Sequence, residues 1–189
     1  MTKAKTLVHF LTAIALIIFG VVLFKIKSGD ISMVKTQNAD GSFDYSGLIK
    51  LVLTFSLCVL GFAGLITVLN DGEWGAWLGS AGVIVGVGAV GVLFDIAIIT
   101  GTAIAGLYFV WWIIASVRCL RATWGGYTED KIMAVCRFIL ALAMGTFVLV
   151  FMTLPDTAEV SGVYTLAGIA SIVGAVAVAI EGIVWRKFV

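Results

Sequence analysis

Charge and proline are both scarce in this chain. Acidic and basic residues together make up 12% of 189 residues, against about 25% in an ordinary soluble domain. Pro155 is the sole proline, so no proline-rich linker divides the chain. His9 is the sole histidine, which excludes a bis-histidine haem site and a histidine-rich zinc centre built within one chain. Three cysteines contain no Cys-x-x-Cys pair, and no Gly-x-Ser-x-Gly, P-loop or His-Glu-x-x-His motif occurs. Neither Asn38 nor Asn70 begins a glycosylation sequon. Net charge is +1, so no global field draws in nucleic acid.

Apolar residues fill the space. They make up 61% of the chain, and mean hydropathy is +1.15. From Trp74 to Val117 a glycine-rich apolar run carries one formal charge, Asp95. A soluble domain of this size has too little interior to hide such a run, so the chain reads as an integral, multi-pass membrane protein. In lipid only helices and closed barrels satisfy their own backbone hydrogen bonds. The runs are long and do not alternate strictly, which favours helices. The fold class is therefore all-α, a polytopic transmembrane helical bundle forming one domain over residues 1–189.

A spanning helix needs roughly 20 apolar residues. Leu7 to Phe24, Leu48 to Leu69, Ile132 to Leu154 and Val163 to Val184 each meet that length. The run Ala76 to Val117 would be about 60 Å long as one helix, twice the hydrocarbon thickness. It is one span with a re-entrant or interfacial segment, two spans turning near Asp95, or a long helix projecting from the membrane, whose outer part would expose valines to water. Five spans with the N-terminus outside place Lys25, Lys27, Lys35, Lys50, Arg118, Arg121, Lys131, Arg137, Arg186 and Lys187 inside, the best fit to the positive-inside rule. Four and six spans stay open. Lys3 and Lys5 before an apolar core resemble a signal peptide, but Phe24, Lys25, Ile26 and Lys27 offer no small-x-small cleavage site, so the segment reads as a retained anchor.

Asp40-Gly41 and Gly125-Gly126 predict turns. Thr128 predicts a helix cap, with Glu129 and Asp130 facing the positive helix end. Trp74, Trp77, Trp111, Trp112, Trp124, Tyr127 and Trp185 lie near predicted span ends, as an interfacial aromatic belt does.

Small residues recur at helical spacing. Gly75, Gly79, Gly82 and Gly86 share one face; Gly88, Gly91, Asp95, Thr102 and Gly106 share another; Ala170, Gly174, Ala177 and Glu181 share a third. Such faces let helices approach closely, either within the bundle or between chains. Asp95, Thr102 and Glu181 are the candidates for an ion or proton site or a buried pair, because a carboxylate in lipid must be neutralised, paired or hydrated. Depth qualifies this: Asp95 lies about 34 Å from Arg118 along a straight helix, near an interface rather than the midplane. Glu181 sits one turn from Trp185 and Arg186 and reads first as an interfacial carboxylate. His9 reads as a headgroup contact. Cys58 reads as an apolar packer. Cys119 and Cys136 bracket a polar loop, where Cys119 is a candidate for palmitoylation and a disulfide requires an external loop.

The stretch VLFDIAIITGTAIAG, Val92 to Gly106, resembles the third span of MARVEL-type tetraspan proteins, in which an aspartate stands early in an Ala/Thr-rich helix. The resemblance covers roughly Leu7 to Leu154 and carries over Asp95 alone. It implies a non-enzymatic role in organising membrane domains, junctions or vesicle traffic. The apolar segment after Pro155 is additional to that pattern.

The sequence thus points to a non-catalytic membrane protein acting as a scaffold or as a subunit of a larger membrane complex. Its expected partners are the lipid bilayer and further copies or other membrane subunits, with no cofactor. The alternative is a small ion or proton channel, or a transporter subunit, using the Asp95 face.

Overall fold

The computed structural model describes residues 2–31, 36–37, 40–41, 43–44, 46–69, 106, 110, 113–114, 117, 121, 126–153 and 161–188. Helix α1 runs Thr2–Lys27, α2 Ser46–Leu69, α3 Thr128–Thr153 and α4 Ser161–Phe188. Gly106, Val110, Ile113, Ile114, Val117 and Arg121 also have helical backbone. Stretches of α1, α3 and α4 are long and apolar enough to cross a membrane: Lys5–Lys27, Thr128–Val150 and Gly162–Val184. A shorter apolar stretch, Ile49–Gly61, lies in α2. The chain is thus a bundle of membrane-type helices.

Local chemistry sets the helix ends. Gly29 takes φ +82°, a left-handed conformation that glycine adopts without strain. The chain then doubles back, and the Ile31 N–H donates to the Lys25 carbonyl at 3.2 Å. Lys25 and Lys27 occupy the last turn, where positive charge offsets the helix dipole. At the other sign, Glu129 and Asp130 occupy the first turn of α3. Between α1 and α2, strands β1 (Thr36–Gln37) and β2 (Phe43–Asp44) pair antiparallel. Gly41, at φ +84°, supplies the turn that Asp40-Gly41 predicts.

Three phenylalanines bind α1, α2 and α3 together. The Phe19 ring meets Phe147 edge-on at 4.8 Å and Phe55 at 5.8 Å, a favoured geometry for aromatic quadrupoles. Leu16, Leu23, Leu51, Leu140 and Met144 complete the core around them. Helix α4 closes the bundle by contacting both α1 and α3. There Gly168 lies under the Phe24 ring, and Gly20 faces the Gly168 carbonyl and Ser171. The buried Ser171 hydroxyl donates to the Leu16 carbonyl, tying α4 to the backbone of α1.

These contacts fix the helix directions. His9 meets Gly182 while Gly20 meets Gly168, so α1 and α4 are antiparallel. Thr12 meets Gly61 and Phe19 meets Phe55, so α1 and α2 are antiparallel. Arg137 pairs with Glu181 while Ala143 meets Gly174, so α3 and α4 are antiparallel. The start of α1, the end of α2, the start of α3 and the end of α4 therefore lie at one end of the bundle.

Candidate functional site

The most costly group in the described bundle is the Glu181 carboxylate. It stands on α4 with only 1% of its side chain exposed. Opposite it, Arg137 in the third turn of α3 donates from Nε to Glu181 Oε1 at 2.9 Å, its own side chain 15% exposed. Two opposite charges at this distance in a low-dielectric surrounding attract strongly, which offsets much of their desolvation. Arg137 also joins helices that are 44 residues apart at this point. Glu181 is thus a buried member of an interhelical pair. Arg137 lies within α3, which begins at Thr128.

Next to Glu181, Gly182 packs directly against His9 of α1. A Cβ placed on Gly182 would lie 2.7 Å from His9 Cβ, inside any real carbon–carbon contact. His9 is accordingly buried rather than turned to headgroups, because α1 starts at Thr2 and carries His9 two turns into the bundle. Its Nδ1 lies 2.7 Å from the Lys5 carbonyl. A carbonyl only accepts, so Nδ1 holds the proton and, in the neutral ring, Nε2 presents a lone pair. Nε2 has no partner among the described residues, and neither has the buried Tyr164 hydroxyl. Thr12 answers its own need by donating to the Val8 carbonyl at 2.8 Å.

Asp95, Thr102, Gly75, Gly79, Gly82, Gly86, Gly88, Gly91 and Cys119 lie outside the described residues. The residues quoted for the MARVEL-type resemblance, Gly106 apart, lie outside them too. Gly106 is helical and half-exposed, with open space where a Cβ would stand. Gly174 is buried, and a Cβ there would meet Ala143 of α3 at 3.3 Å. Its small size thus serves contact within the chain. Cys58 and Cys136 are buried free thiols; the Cys136 side chain sits in α3 rather than at the edge of a loop. No set of three metal-ligating side chains occurs among the described residues.

The buried pair and the His9–Gly182 contact together lock α4 to α3 on one side and to α1 on the other. Comparison with known proteins gives no match to a family model, a curated protein or a solved structure.

Proposed function

We propose that this protein is a non-catalytic membrane bundle that acts as a scaffold or as a subunit of a larger membrane complex. The observation that carries the reading is how the bundle uses its polar groups. Arg137 and Glu181 are spent on each other, and Ser171 and Thr12 on backbone carbonyls inside the bundle. The outward side is apolar, with Leu7, Leu11 and Ile14 on α1 and Leu166, Ile169 and Val176 on α4 exposed. Such a surface interacts through shape and packing rather than chemistry, as membrane helices do. Association is assigned to the small-residue face of Gly75, Gly79, Gly82 and Gly86. Gly82→Leu and Gly86→Leu are expected to lower the native mass of the complex extracted in mild detergent. An unchanged mass in both variants would sink the reading.

The finer topology follows from the helix directions. The chain leaves α2 and enters α3 at the same end of the bundle, so we infer an even number of crossings, four or six, in place of five. In the sequence, Lys3, Lys5, Lys131, Arg186 and Lys187 belong to that end, against Lys25, Lys27, Lys35 and Lys50 at the other. The positive-inside rule then makes it the cytoplasmic end. Tags at the two termini are expected to be accessible from the same side of sealed vesicles; accessibility from opposite sides would restore the odd count.

A further inference from the structure

Helices α3 and α4 leave a groove on their outer side. Its volume is about 420 Å³, and Ile132, Val135, Ile139, Val173, Val176 and Ile180 line it. Val135, Val176 and Ile180 are exposed, so the groove opens sideways, outward from the bundle. Lys131 and Thr128 stand at one end. We propose that this groove binds one acyl chain of an anionic phospholipid, with the phosphate held at Lys131.

Length supports this occupant. From Lys131 to Ile139 a helix rises about 12 Å, close to the depth of one leaflet in a hydrocarbon core of roughly 30 Å. A groove that starts at a cation and ends near the midplane matches one lipid of one leaflet.

Charge supports it independently. Lys131 is exposed at the mouth, and the exposed Arg186 lies on α4 at the same end of the bundle. Glu129 and Asp130 share the first turn of α3, but neither lines the groove. A lysine at the mouth of a groove between membrane helices gives an anionic headgroup a cation to meet. The choice of leaflet rests on the orientation inferred above; the groove and its lysine do not.

The test is lipid retention, read by native mass spectrometry. The purified chain is equilibrated with phosphatidylcholine or phosphatidylglycerol in mixed micelles. The expected result is one phosphatidylglycerol retained per chain in preference to phosphatidylcholine. Lys131→Gln should weaken that retention about fivefold, the contribution of one basic residue at an anionic surface. Val176→Trp should remove retention of both lipids by filling the groove; Val176 is 55% exposed, so the bundle does not depend on it. Equal retention of the two lipids by the wild type would overturn the proposal, as would full retention by Val176→Trp. A lipid-free dimer that Val176→Trp splits would overturn it in favour of a second copy.

Discussion

Replacing Glu181 by alanine is expected to destabilise the bundle by about 3–5 kcal/mol, the largest effect of any single substitution considered. The loss arises from what remains. The Arg137 side chain is only 15% exposed, so without Glu181 its guanidinium stands desolvated and without that partner. Glu181→Gln should recover part of the loss, because an amide oxygen still accepts from Arg137 Nε at the same place. The combination Arg137→Leu with Glu181→Leu should recover most of it, since an apolar pair of similar volume avoids the desolvation cost altogether. Unfolding in detergent micelles, followed by loss of helical circular dichroism, measures all four proteins. If the single alanine variant proved as stable as wild type, or the double leucine variant no better than the single, the pair would not be the lock between α3 and α4.

Gly182→Leu is expected to cost about 3 kcal/mol by forcing α1 and α4 apart. Direction and size follow from which atom the new side chain meets. At Gly182 that atom is His9 Cβ at 2.7 Å, which is bonded to the backbone of α1 and cannot rotate away. At Gly168 it is the tip of the Phe24 ring at 2.9 Å, which can swing aside, so Gly168→Ala should be milder. Intrinsic preference acts oppositely, since alanine is favoured over glycine in a helix by about 1 kcal/mol. Gly162 has open space where a Cβ would stand, so Gly162→Ala should be neutral or slightly stabilising. The same unfolding experiment ranks the three. A Gly182→Leu protein that melts with wild type would show that the helices separate there at no cost.

Much of the architecture is legible in the residues. The predicted spans Leu7 to Phe24, Leu48 to Leu69, Ile132 to Leu154 and Val163 to Val184 coincide with the four helices, within a turn or so at the ends. Length and hydropathy suffice for that, because a bilayer leaves a polar backbone few alternatives. The turn at Gly41 and the acidic first turn of α3 are local as well. They depend on a glycine that tolerates positive φ and on carboxylates beside a helix N-terminus.

Partnership is another matter. That Arg137 finds Glu181, 44 residues away, depends on the register of two antiparallel helices, and no local pattern encodes it. The burial of His9 depends on Gly182 lying opposite. The insertion of α4 between α1 and α3 depends on Gly168, Gly174 and Gly182 each meeting a side chain from another helix. The residues by themselves determined that the described chain is a bundle of membrane-type helices and where α1 to α4 run, since apolar length is a property of each segment alone. Only the tertiary structure decided which charges are paired, which glycines are contacts, and that α2 ends where α3 begins. Those are relations between segments, set by packing.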